Sequence, residues 1–471
     1  MIDRNAQTSD AIARLNKVMD EAARHENTAV RKLLDLIAIP SISIDPPGSE
    51  GIAKAAAWLQ AELISMGLQA KIVETGGHPV VLGSCHSSSS RRRILFYGHY
   101  DVQPAGDPDD WTHPPFAPAI IEEEGLHRFY GRGASDSKSQ FWTLLEALRA
   151  WKAIHGEFPA DIVVLLEGEE EIGSTSLPDF LAQHHDELCC DIAFICDGDM
   201  WSRDRPAITT QLKGLVHEKV TILTPHGDLH SGFFGAVAAN PLRILSSILA
   251  AIHDEGGRIA IDGFYDGVQD IPAMRRDQWR QLSAEAGVND GVSLEGGVIE
   301  QGYSALEAMW GRPAIDINGV TGGNQGPTGR SVTPGTAHAR LSFRLVAGQD
   351  PDLVRERFKE FVLARVPEGC RAEFEGASYA PAIMLSQDNP YLRATARGLE
   401  AEWGHPAVLK GSGGTVPLVH QLHEALSVDG IVVGFILGTD AIDGPDEHYD
   451  VERFRAGTRA WIRIFAELEM I

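Results

Sequence analysis

The run Asp161-Ile162-Val163-Val164-Leu165-Leu166 passes without a break into Glu167-Gly168-Glu169-Glu170-Glu171-Ile172-Gly173-Ser174, and this junction constrains the chain more than any other stretch. An apolar run this short, with β-branched residues in it, predicts a strand buried on both faces. The carboxylates then fall at or just past a strand end that packing holds still. Close carboxylates in a dry site raise one another's pKa unless a cation or solvent compensates. A solvated acidic loop is the plain alternative for any charge run. It loses ground because other strand ends carry the same kind of residue.

The apolar segment Ile94-Leu95-Phe96-Tyr97-Gly98-His99-Tyr100-Asp101-Val102 delivers His99 and Asp101 on one face of an extended chain. Asp191-Ile192-Ala193-Phe194-Ile195-Cys196 ends in Asp197. Arg128-Phe129-Tyr130-Gly131-Arg132-Gly133 leads to Asp136, just ahead of helical spacing from Lys138 to His155. Asp136 alone reads equally well as a helix N-cap. Together, His99, Asp101, Asp136, Glu170, Glu171 and Asp197 are brought to the edge of one α/β sheet, where open sheets of this class bind ligands. Repeated strand-helix alternation predicts a mostly parallel sheet with covering helices.

Ahead of this region, Thr8, Ser9 or Asp10 are candidate caps for a helix facing inward through Leu15, Val18 and Ala22, and a second helix runs through Val30 to Ile37. From Gly214 the texture changes to alternating strands, Leu215 to Leu223 and Ala337 to Val346, interleaved with helices from Asn240 and Pro351. The expected division is a catalytic domain over 1–213, an inserted smaller α+β domain over 214–380, and the rest of the catalytic domain over 381–471. That last part holds a Gly-rich turn, Gly411-Ser412-Gly413-Gly414-Thr415, the strand Ile431 to Leu437 and a closing helix from Val451. A length of 471 residues exceeds what one core usually supports.

A net charge of -25 argues against nucleic acid as a partner and suits a protein that concentrates cations. Five cysteines without C-x-x-C spacing indicate neither a disulfide framework nor a thiolate zinc site, which points to a reducing compartment, the cytoplasm. No secretion signal and no apolar run of membrane-spanning length is expected.

Nitrogen from one histidine with oxygen from several carboxylates is the ligand set of zinc, manganese or cobalt in a hydrolytic site. So many acids in one pocket imply two divalent cations, which lower the pKa of water and polarise a carbonyl. One acid must then stay free of metal to take the proton from water.

These residues resemble the M20 metallopeptidases, in particular the branch of cytosolic dipeptidases that includes carnosinase-like enzymes. The resemblance rests on Gly98-His99-Tyr100-Asp101-Val102-Gln103-Pro104, Trp111-Thr112-His113-Pro114-Pro115-Phe116, Tyr130-Gly131-Arg132-Gly133-Ala134-Ser135-Asp136, the glutamate cluster, and Asp228-Leu229-His230-Ser231-Gly232, in this order. It implies that His99 and Asp197 hold one metal, Asp136 bridges both, Glu171 belongs to the second, Glu170 is the general base and Asp101 orients His99. It further implies a homodimer through the inserted domain. His230 would stabilise the oxyanion in the partner's site, and Arg344, with Gly413, Gly414 and Thr415, would bind the substrate carboxylate.

Two positions depart from the family pattern. Asp443 stands where the family has its last histidine ligand, with His448 five residues further on, and Ser137 follows the bridging aspartate. With Asp443 as ligand, the second ion would see only oxygen, a harder site that favours manganese or magnesium over zinc. The expected activity is hydrolysis of the amide bond of dipeptides or similar small substrates with a free carboxylate. An N-acyl amino acid amidohydrolase and a catalytically altered binding homologue are the alternatives.

Overall fold

The computed structural model describes residues 4–86, 92–285, 299–413 and 417–471. The chain separates into two compact units, the first formed by Met1–Thr210, Leu385–Leu409 and Pro417–Ile471, the second by Gln211–Met384 and Lys410–Val416.

The first unit is built on a mixed sheet. Its centre is parallel, with Asp161–Glu167, Arg93–His99, Ile192–Ile195 and Gly430–Val432 side by side. Val80–Cys85 and Gln69–Val73 extend it antiparallel on one flank. The central strands are buried along their length, as continuous apolar runs require. Phe96 and Phe194 stack across neighbouring strands at 5.6 Å, and Trp461 of the helix Val451–Leu468 meets Phe96 edge-on at 6.0 Å. Each such aromatic pair contributes roughly 0.5–1.5 kcal/mol beyond the area it buries.

The helix Ser139–His155 runs in register with its apolar spacing and is buried over most of its length. Lys138, fully buried at its start, donates to the carbonyls of Leu36 (3.1 Å) and Ile39 (2.8 Å), satisfying the C-terminal end of the first helix. That first helix is a single element, Arg4–Ile37, so Thr8, Ser9 and Asp10 lie inside it and do not cap it, and the two helices expected there are one. A separate three-stranded sheet, Ala119–Glu123, Leu126–Tyr130 and His448–Asp450, joins the end of the chain to its middle.

The second unit holds a four-stranded antiparallel sheet in the order Ala314–Gly322, Thr336–Leu345, Gly214–Leu223, Arg371–Ala380. Gly214–Leu223 alternates buried and half-buried residues without exception, and Val216, Val220 and Ile222 face a core shared with the helices Pro241–Ala250 and Pro351–Leu363. Gly411 and Ser412, expected in a turn, end the strand Val408–Ser412. Among the described residues, no helix is long and apolar enough to cross a membrane.

Candidate metal centre

The parallel register sets the site. His99 ends its strand directly opposite Glu167, so the turn that follows each strand leaves the sheet at the same edge. Gly168 is required there, because a Cβ would lie 2.5 Å from the hydroxyl oxygen of Tyr100. The chain then turns through Glu170–Ile172, and Gly173 and Ser174 both take positive φ to leave it.

His99, Asp136 and Glu171 form the cluster, with one ligand atom from each lying within 4.8 Å of the others. His99 Nε2 stands 3.1 Å from Asp136 Oδ1 and 3.9 Å from Asp197 Oδ1. Its other nitrogen, Nδ1, faces Asp101, 3.2 Å from the backbone oxygen and 3.3 Å from Oδ1. Asp136 does not cap the following helix, whose N-cap position is Lys138; its backbone is extended at that point and its peptide bond to Ser137 is cis. Ser137 donates its hydroxyl to the His99 carbonyl at 3.2 Å.

The electrostatics are those of a half-buried acid cluster. Burial pushes Glu171 up to about 9 and Asp197 up to about 8, and Asp136 adds to both. Glu170 rises for the same first reason, with Asp101, Asp136 and Asp443 contributing. Burial opposes charge on His99, but hydrogen bonds to Asp101 and Asp136 outweigh it and hold the imidazole well above its usual value. Two buried carboxylate oxygens, Glu171 Oε1 and Asp197 Oδ1, have no hydrogen-bond partner among the described residues. Buried carboxylate oxygens left bare beside a histidine nitrogen are what a divalent cation satisfies, so the residues fit a metal.

Asp443 takes a left-handed backbone, φ 56°, and its carboxyl is raised by burial and by Asp136 while Arg132 opposes the rise. It shares the electrostatics of the cluster without belonging to the tight three-residue set. His448 is occupied elsewhere: its ring lies against Tyr130 at 5.1 Å and Nδ1 is 2.9 Å from the Asp446 carbonyl. Glu169 has a structural task, accepting from His78 N (2.9 Å), the Thr175 hydroxyl (2.6 Å) and Ser176 N (3.0 Å).

In the second unit, His230 starts the short helix Ser231–Phe234, exposed, with its ring 5.0 Å from Phe233. Arg344 is half-buried in Thr336–Leu345 opposite Leu215 and Ala314, and carries no ion pair with an acid among the described residues. Gly413 is exposed, whereas Gly414 and Thr415 lie outside the described residues.

Three neighbours of the cluster were not singled out from sequence. Gln103 donates Nε2 to both the backbone oxygen and Oε2 of Glu171 at 3.0 Å. Glu447, completely buried, accepts the backbone amides of Gly133 (2.9 Å), Ser135 (2.9 Å) and Asp136 (3.0 Å). Arg132 pairs with it at 2.9 Å. A charged residue between two glycines at a strand end is the one sequence signal that marks Arg132, and nothing in Gly444-Pro445-Asp446-Glu447 separates Glu447 from a solvated turn.

The profile of Peptidase family M20/M25/M40 matches residues 95–467. A cysteinylglycine-S-conjugate dipeptidase of Corynebacterium striatum is 30% identical over 404 residues, covering 84% of this chain and 85% of that protein. The Cys-Gly metallodipeptidase of Saccharomyces cerevisiae is 25% identical over 463 residues, 93% of this chain and 95% of the relative. Among solved structures, an M20 family metallo-carboxypeptidase from Sulfolobus solfataricus superposes with a TM-score of 0.71 at 26% identity, covering 94% of this chain and 99% of its own. By the extent of the profile match and by these relatives, this chain belongs to Peptidase family M20/M25/M40.

Proposed function

We propose that the protein is a metal-dependent dipeptidase that hydrolyses the amide bond of a small peptide with a free carboxylate, with Glu170 as its general base. The observation that carries the reading is the cluster of His99, Asp136 and Glu171 with bare buried oxygens on Glu171 and Asp197, beside a glutamate, Glu170, left free of it. Cys-Gly and cysteinylglycine S-conjugates, named for these two relatives, set the substrate class to try first.

In this reading His99, Asp136 and Asp197 would hold one divalent ion, and Asp136, Glu171 and Asp443 the other. The ions would supply Lewis acidity, polarising the scissile carbonyl and lowering the pKa of water. Glu170 takes the proton of the attacking water and passes it to the leaving amine. Asp101 keeps Glu170 in place by accepting its backbone amide at 3.2 Å. The all-oxygen donors Asp136, Glu171 and Asp443 favour manganese or magnesium at the second position, with zinc or cobalt better suited to the histidine side.

Arg344, a guanidinium without an acidic partner among the described residues, would receive the substrate carboxylate, a task its planar fork suits. Gly413, Gly414 and Thr415 would add donors to the same group, and His230 would stabilise the oxyanion of a partner's reaction in a homodimer joined through the second unit. Five free cysteines fit work in the reducing cytoplasm. The test is a comparison of free dipeptides with N-acetylated amino acids on apo protein reloaded with manganese, zinc or cobalt. Cleavage of free dipeptides that depends on the added metal supports the reading, and cleavage of the N-acetylated set alone sinks it.

A further inference from the structure

The aspartate at position 443 has a shorter side chain than histidine and a strained backbone, so something must hold it toward the cluster. Among the described residues, Arg132 is the cation that forms an ion pair with its carboxylate, while His99 acts on it from further off. This guanidinium is 1% exposed and spans three groups: Nη1 meets Glu447 Oε2 at 2.9 Å, while Nη2 donates to the Asp443 carbonyl at 2.8 Å and to the Pro104 carbonyl at 3.2 Å. Nη1 also lies 3.8 Å from Asp443 Oδ1. The ring of Trp111, 5.3 Å from the guanidinium carbon, covers it, and the indole is itself anchored to the Ala105 carbonyl at 2.7 Å. On the far side, the same Glu447 carboxylate that grips Arg132 collects the amides of Gly133, Ser135 and Asp136.

From this geometry we infer that Arg132 is a positioning residue: clamped by Glu447, it sets where Asp443 stands and thereby the strength of one of the two metal positions, while Glu447 sets Asp136 and so bears on both. The inference rests on the two-ion reading above. A lysine at position 132 keeps the charge but has one nitrogen in place of a fork, so it cannot reach Glu447 and the Asp443 carbonyl together. Glutamine at position 447 turns one acceptor into a donor facing the amide of Gly133 and Arg132 Nη1, or the amides of Ser135 and Asp136.

Calorimetric titration of Mn2+ into metal-free protein reads this without any substrate. Wild-type protein shows two binding events. Arg132→Lys weakens one of them by about 10- to 100-fold, the loss typical when a residue behind a ligand is changed, and leaves the other within about twofold. Glu447→Gln weakens both. Arg132→Lys made on top of Asp443→Ala adds less than about twofold, because both changes act through one carboxylate. Circular dichroism checks the fold of each variant; if Glu447→Gln does not fold, the Arg132 and Asp443 cycle decides alone. Folded Arg132→Lys protein in which both events are unchanged, or both fall equally, overturns the inference. Wild-type protein that binds fewer than two ions instead defeats the two-ion reading on which it stands.

Discussion

Asp101 holds Glu171 by its backbone: Oδ2 accepts the Glu171 amide at 3.0 Å, while Oδ1 accepts the Glu170 amide at 3.2 Å and stands 3.3 Å from His99 Nδ1. One buried carboxylate thus fixes a histidine and two glutamates that arrive from neighbouring parallel strands. Asp101→Asn keeps the shape and replaces one acceptor by a donor, which cannot serve an amide. The variant should lose about 10- to 100-fold in kcat/KM and in metal affinity. Steady-state assays paired with metal titration check this, and retention of both values would contradict the role.

With Asp443 as a ligand, the second metal position would be harder than the family pattern. Asp443→His should raise the affinity for zinc relative to manganese, read by competitive titration of the two ions into metal-free protein. An unchanged zinc-to-manganese ratio would show that Asp443 touches neither ion.

Gly434 and Gly198 bring two backbones together immediately behind Asp197. A Cβ on Gly434 would lie 2.2 Å from the Gly198 oxygen and 2.3 Å from its nitrogen, so the neighbouring backbone must shift. Gly434→Ala is expected to cost about 1–3 kcal/mol of stability and to weaken metal binding as Asp197 moves. Denaturant unfolding with and without manganese tests both effects, and a variant as stable as wild type would contradict the close approach.

Lys213 supplies a pH test in the second unit. Burial lowers its amine from 10.5 to about 8, with Asp316 opposing the shift and Arg344 adding to it. Below pH 8 the lysine is charged in both states and the folded protein carries the full penalty. Between pH 8 and 10.5 the unfolded chain holds the proton that the folded chain has released, so stability rises with pH. Relative to Lys213→Met, wild-type protein should gain up to roughly 3 kcal/mol across that window. Parallel stability curves for the two proteins would refute the shift.

The strand ends were legible in sequence because a buried parallel strand must be apolar throughout, and a histidine or acid at its end then stands out. His99, Asp101, Glu170, Glu171 and Asp197 were found that way. The helices from Pro351 and Val451 were equally plain from their spacing. What escaped has a different physics. Glu447 and Arg132 act by holding backbone amides and carbonyls, and hydrogen bonds to backbone leave no periodicity. The start of the first helix was placed too late because its opening residues carry no apolar stripe. The turn expected at Gly411 is the end of a strand, since tertiary pairing overrides the conformational freedom of glycine there.

In the proposed mechanism Glu170 moves the proton while its neighbours hold the metal. Turnover of a Cys-Gly dipeptide by Glu170→Gln, with metal per chain counted in the same sample, tests it most directly. The expected rate is lower by about 100- to 10,000-fold with the wild-type complement of two ions retained. A rate near wild type, or the loss of an ion with the substitution, would contradict it.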